Sequence, residues 1–295
     1  MPNRSSPREF VEEWIERVWR QRDYAAIDEM RHPESTFTEI AGGTWESKGS
    51  GNFRQNVELF RRLLSDFECG SWNLIEEGNR GAYGGFLSGT ICDASMGERL
   101  LGKRYYARYM SLCRIQDGMV VHSYNFFSSN QPGVRLPGMR ETEYFVEPHL
   151  PYDLPDPTDK EVSRKVLIEW LENAWVAKGV ESHERWLHPD CLISEMASPD
   201  LESRGVDAIE SNLAELRRVV GNLTPHVITT VAEGNKAACV FNLSGTIREA
   251  LTANLMIGSK VEIRAMILAT LQGGRIAHAY TFIDFSQLGS ALPAP

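Results

Sequence analysis

Apolar residues at helical spacing open the chain: Phe10, Val11, Trp14, Ile15, Val18 and Trp19 fall on one face of a helix. Ser6-Pro7-Arg8-Glu9 just before them has the capping arrangement of a helix start, with proline at the first helical position. A short second helix over Tyr24–Met30 stops before His32-Pro33, because proline disfavours helical geometry in the residue ahead of it. Thr36–Ile40 alternates like a strand. A third helix, from about Asn52 to Leu64, shows Phe53, Val57, Phe60 and Leu64 on one side. The period then shortens to two. Ser71–Glu76, Ala82–Ile91, Arg104–Ile115 and Met119–Phe127 read as strands, separated by turns such as Glu77-Gly78-Asn79 and Gln116-Asp117-Gly118. Helices first and a meander of strands afterwards predict an α+β fold, a curved and mostly antiparallel sheet wrapped on three helices.

The pattern then starts again. Residues 10–128 and 166–284 align without a gap, and about 33 of roughly 119 positions are identical. Glu13-Trp14 returns as Glu169-Trp170, His32-Pro33 as His188-Pro189, and Leu87–Ile91 as Leu243–Ile247. His122, Tyr124 and Phe126 return as His278, Tyr280 and Phe282. So long a period excludes a solenoid and predicts two complete domains, 1–132 and 161–295. Between them, 133–160 is rich in proline and carries Tyr144, Phe145 and Tyr152, which predicts a stiff, partly docked strap.

Length agrees, since 295 residues suffice for two small domains. A net charge of −9 argues against nucleic acid as a partner, because phosphate neutralisation needs a basic surface. No run of about 18 apolar residues is present, so no membrane span is expected. The opening residues lack the apolar core of a signal peptide. The five cysteines, Cys69, Cys92, Cys113, Cys191 and Cys239, lack C-x-x-C spacing and have no cysteine at their repeat partners. They read as reduced, mostly buried thiols of a cytoplasmic protein. No metal site, dinucleotide fingerprint or P-loop is apparent, and no cofactor is expected.

The aromatic-bearing first helix, the His-Pro-acid turn and the closing segments Asp117–Tyr124 and Gly273–Asp284 resemble the NTF2-like superfamily, in particular SnoaL-like polyketide cyclases and ketosteroid-isomerase-like proteins. The resemblance implies cone-shaped α+β domains. It also implies an intramolecular pseudo-dimer of the two halves, with further oligomerisation open, and a small apolar molecule as ligand. It further implies an aspartate near the end of the last strand, which Asp284 could supply; the first half has Ser128 there.

The repeated Glu39 and Glu195 are the leading candidates for chemistry. Each shares a strand face with an apolar residue, Phe37 or Ile193. A carboxylate inside an apolar chamber has its pKa raised, which suits proton transfer near neutrality. His122 and His278, with Tyr124 and Tyr280, could move a proton and stabilise an oxyanion, or could equally pack at a sheet interface. Arg108 and Arg264 could neutralise the glutamates or bind an anionic group. Trp14 and Trp170 are pocket-wall or core residues, and Asn56 and Asn212 are possible donors on the third helix. Arg61-Arg62 and its twin Arg217-Arg218 read as solvated or strapped to the linker.

The halves have also drifted: Ser111–Cys113 becomes Ile267–Ala269, which predicts two different pockets. The expected function is proton transfer on an apolar, carbonyl-bearing substrate, as in a cyclase, isomerase or hydratase. The alternative is a non-catalytic ligand-binding or scaffolding protein. An epoxide-hydrolase reading would need an Asp-Arg-Asp set, which neither half clearly has.

Overall fold

A computed structural model describes residues 6–40, 44–129, 156–176, 179–197, 202–249 and 256–283. Asp284 and most of the proline-rich strap lie outside them. The chain forms two compact units, one built chiefly from each half. No helix among the described residues is long and apolar enough to cross a membrane.

In the first unit α1 (Pro7–Trp14) begins as its sequence requires: the Ser6 side chain accepts from the Glu9 amide at 3.3 Å, and proline follows the cap. The helix continues as a π-helical turn, Ile15–Arg20. Then come α2 (Ala25–Met30), β1 (Arg31–Ile40), β2 (Thr44–Lys48) and α3 (Gly51–Leu63). Strands β3 (Leu64–Glu77), β4 (Arg80–Ile91), β5 (Arg104–Gln116) and β6 (Met119–Ser129) complete it. The second unit follows the plan with α4 (Lys160–Glu169), β7 (Leu187–Glu195), β8 (Glu202–Arg204) and α5 (Val206–Val219). In place of the expected second helix, the counterpart of α2, its described residues form only a 3₁₀ turn, Val180–Ser182. Its meander is β9 (Val220–Glu233), β10 (Lys236–Ile247), β11 (Lys260–Gln272) and β12 (Arg275–Ile283).

Each unit has one six-stranded sheet, ordered β2-β1-β6-β5-β4-β3 in the first and β8-β7-β12-β11-β10-β9 in the second. In the second unit β12 runs parallel to β7, while its other mapped pairings are antiparallel. The hairpins turn where expected. Asp117 and Gly118 both have positive φ (52° and 72°), as do Gly273 and Gly274 (57° and 72°), the backbone that a two-residue hairpin turn demands. His32-Pro33 departs from the turn reading. It lies inside β1, where the His32 ring accepts from the Glu34 amide at 3.1 Å, and His188 does the same for Asp190 at 3.2 Å.

The register sorts residues onto faces. In β5 the helix-packed core takes Tyr105, Ala107, Cys113 and Ile115, with Tyr109 against it. Tyr106, Arg108, Met110 and Leu112 therefore occupy the other face, and all four are buried. The second unit follows suit, with Val261, Ile263, Ala265, Ile267 and Ala269 toward its helices.

One size exchange between the halves shows how tightly the inner face is packed. Gly85 pairs with Tyr109 in the first sheet, whereas Phe241 pairs with Ala265 at the same place in the second. A ring of similar bulk is thus supplied from opposite strands. A Cβ on Gly85 would stand 2.2 Å from the Tyr109 ring. Gly85→Ala is therefore expected to cost about 1–3 kcal/mol in urea denaturation. In a Tyr109→Ala background the same change should cost little; additive losses would mean that this contact does not set the packing.

Candidate active site

Cross-strand pairing builds a polar row on the inner face of the first sheet. Tyr83 on β4 is the register partner of Ser111 on β5, which is the partner of Asn125 on β6. Residues directly opposite one another project to the same face, so all three side chains meet. Ser111 Oγ donates to Asn125 Oδ1 at 2.5 Å, and Asn125 Nδ2 donates to Ser123 Oγ at 3.0 Å. Tyr83 joins through a hydrogen bond with Ser111. Burial, reinforced by the neighbouring Cys113, holds the Tyr83 phenol well above its ordinary pKa, so it keeps its proton. The Tyr109 ring stands edge-on to Tyr83 with centroids 6.0 Å apart.

The equivalent row in the second sheet reads Cys239, Ile267, Thr281 and Glu195, again as successive register partners. By the repeat, Glu39 on β1 is the fourth member of the first row, beyond Asn125, and β1 does neighbour β6. The apolar residue two before Glu39 confirms its side: Phe37 meets Phe53 of α3 edge-on at 5.9 Å.

These twin carboxylates live in different surroundings. Glu195 is clamped: it accepts the Thr281 hydroxyl at 2.7 Å and the amides of Ile283 and Ala197, each at 3.0 Å. Glu39 is half-buried, and burial pushes its carboxyl above the usual range. Its row-mates have changed in step. Where the second half closes the row with fully buried Cys239 and Ile267, the first presents a phenol, a hydroxyl and an amide.

The other expected site residues fall elsewhere. His122 and Tyr124 pair with Arg114 and Leu112, on the face turned away from the helices. Their rings meet edge-on at 4.6 Å, and His122 Nδ1 lies 2.6 Å from Thr36 Oγ1. His278 and Tyr280 repeat this at 4.5 Å. Arg108 and Arg264 also lie on that face, opposite Phe86 and Asn242, so they cannot neutralise the glutamates across the sheet. Arg264 Nε donates to Asn242 Oδ1 at 3.1 Å.

Trp14 is core, stacked on Phe10 at 6.0 Å and tilted against Phe53 at 5.0 Å. Trp170 is core as well and donates its indole N–H to His183 at 3.2 Å. Asn56 is half-buried on α3, while Asn212 Nδ2 donates to Ser203 Oγ at 2.5 Å and so fastens α5 to β8. Arg217 is not solvated. It is 9% exposed, bonded to the carbonyls of Ala174 and Trp175 and to Glu210.

Sequence reading alone did not single out Tyr83, Ser111 and Asn125 as site residues. The signal was present: Tyr83 and Ser111 stand where the repeat partners are Cys239 and Ile267, and Asn125 carries an amide where Thr281 has a hydroxyl. Only the register showed that the three substitutions touch.

Residues 165–292 match the family described as SnoaL-like polyketide cyclase, and residues 11–123 match the SnoaL-like domain family. No curated protein matches the chain in sequence. Among solved structures, a candidate SnoaL-like polyketide cyclase from Jannaschia sp. CCS1 is similar at 16% identity, covering 46% of this chain and 94% of that one, with a TM-score of 0.40. IdmH, a candidate polyketide cyclase from Streptomyces antibioticus, is similar at 16% identity over 43% of this chain and 96% of its own, with a TM-score of 0.39. A protein with a ketosteroid isomerase-like fold from Catenulispora acidiphila DSM 44928 shares 16% identity over 44% and 98%, with a TM-score of 0.37.

Proposed function

Because the chain is a tandem pair of SnoaL-like domains of the NTF2-like superfamily, we propose that its first half is a cofactor-independent enzyme for a small apolar carbonyl compound. The observation that carries this is the contrast between the twin glutamates. The same residue at the same place is held by three protein donors in one half and raised by burial in the other. Fully satisfied carboxylates are structural, whereas a desolvated one is fitted to take and return a proton.

Glu39 removes the proton next to the substrate carbonyl, and the C–H electron pair moves onto the carbonyl oxygen as an enolate. Donors of the polar row, the Asn125 amide and the Tyr83 phenol, stabilise the charge that develops there. Return of the proton to a different carbon gives isomerisation, and attack of the enolate carbon on a second carbonyl gives cyclisation. The second half, where Cys239 and Ile267 replace the phenol and the serine hydroxyl and Glu195 is clamped, has a non-catalytic role. Two such halves in one chain fit an intramolecular pseudo-dimer.

The test is proton exchange next to the carbonyl of a small apolar ketone, such as indanone in heavy water, followed by NMR across pH. The rate should climb with ionisation of a group above the ordinary carboxylate range, and that limb should vanish in Glu39→Gln. A profile unchanged in that variant removes Glu39 from the chemistry.

A further inference from the structure

The first unit buries a second ionisable group on the inner face, and no step above uses it. Arg31 is only 3% exposed. Its guanidinium lies over two rings, 5.1 Å from the Phe37 centroid and 5.4 Å from that of Phe53. Nε has no hydrogen-bond partner, and Nη2 reaches only Ser35 Oγ, at 3.4 Å. Arg31 has no ion-pair partner among the described residues. A guanidinium carries five donors and a permanent charge, and burying it without a counter-ion is costly. The two rings stabilise its faces but leave its in-plane N–H edge unanswered.

The second half shows that the fold does not need it. Arg31, Phe37 and Phe53 are replaced there by three aliphatic residues, Leu187, Ile193 and Ile209, all buried in the hydrophobic core. The whole trio has changed, as has the polar row.

We propose that Arg31 is the anchor for a carboxylate on the substrate of the first half, which makes that substrate an apolar keto acid. This rests on the proton-transfer reading of Glu39 and adds the substrate class to it. A guanidinium edge matches a planar carboxylate with two parallel hydrogen bonds, and Phe37 and Phe53 hold the fork in place. One arginine balances one negative charge, and the ionised Glu39 on the same strand face disfavours a dianion such as phosphate. The carboxylate would sit at Arg31 and the ketone along the row that ends in Glu39, with the apolar body against Phe37.

The full chain should be titrated calorimetrically with benzoate and with neutral benzyl alcohol. Benzoate should bind more tightly to the native chain. Arg31→Leu, which installs the residue found at 187, should weaken benzoate about tenfold or more and leave benzyl alcohol unchanged. Arg31→Lys keeps a charge without the fork and should fall between; it serves if the leucine variant does not fold. Equal benzoate affinity in the native chain and either variant, or no preference for benzoate in the native chain, overturns the assignment. Glu39→Gln separates the two readings, since it should abolish indanone exchange and retain benzoate binding. Lost exchange with Arg31-independent benzoate leaves the base and discards the anchor, and the reverse pattern discards the base.

Discussion

Glu39→Gln is expected to slow ketone proton exchange by about 10²–10⁴-fold, the usual contribution of a positioned general base, while Glu195→Gln leaves the rate unchanged. Stability should move the other way. Glu195 holds the Thr281 hydroxyl and two main-chain amides, so its amide variant places an N–H₂ group against donors. A loss of about 1–3 kcal/mol in urea is expected. Glu39 works against the fold at neutral pH. A carboxyl raised by burial favours the folded state least when ionised, so its contribution declines as pH climbs from the reference value of 4.5 toward the higher folded one. Glutamine cannot ionise and removes that penalty, so Glu39→Gln should melt no lower than the native chain at neutral pH. Equal effects of the two substitutions on rate would refute the division of labour between the halves.

Glu210→Ala should be strongly damaging to the second unit. Glu210 accepts from Arg217 at 2.5 Å and from the Gly179 amide at 2.9 Å, and it lies 2.9 Å from His183 Nε2. His183 is fully buried, and its Nδ1 accepts the Trp170 indole proton, so the ring is neutral and its Nε2–H points to the carboxylate. Burial pushes the Glu210 carboxyl up, but these bonds outweigh it and hold the group below its usual range. Deleting the carboxylate strands a buried guanidinium and an imidazole donor, with an expected cost of about 3–5 kcal/mol. Urea denaturation followed by tryptophan fluorescence would report it; a loss under 1 kcal/mol, roughly what an exposed pair is worth, would show that the network carries little.

The same network predicts an acid sensitivity. Burial depresses the His183 pKa despite the Glu210 charge, so the unfolded chain binds the extra proton first. The stability from neutral His183 is complete above the reference value of 6.5 and is lost as pH falls through it toward the lower folded value. His183→Gln should flatten that slope.

The repeat made much of this readable from the residues alone. Period-two and helical patterns are local properties of the chain, so the helices, the strands and the turns at Asp117-Gly118 and Gly273-Gly274 could be placed in advance. Glu39 and Glu195 stood out because a carboxylate two residues from an inward apolar side chain shares its face whatever the rest of the fold does. His122, Tyr124, Arg108 and their twins were placed less well. Their alternation along a strand gives two faces but does not say which meets the helices, and the register put them on the other one. Arg217 looked solvated because two of its partners, Ala174 and Trp175, are distant in sequence and bind through backbone carbonyls, which no residue pattern marks.

Composition and spacing therefore settled that two α+β halves exist and where their carboxylates fall along the strands. Folding settled which of those carboxylates is restrained and which is exposed to low-dielectric surroundings. The reason is that a side chain's neighbours across a sheet come from segments tens of residues away, and hydrogen-bond satisfaction and desolvation depend on those neighbours rather than on the local pattern.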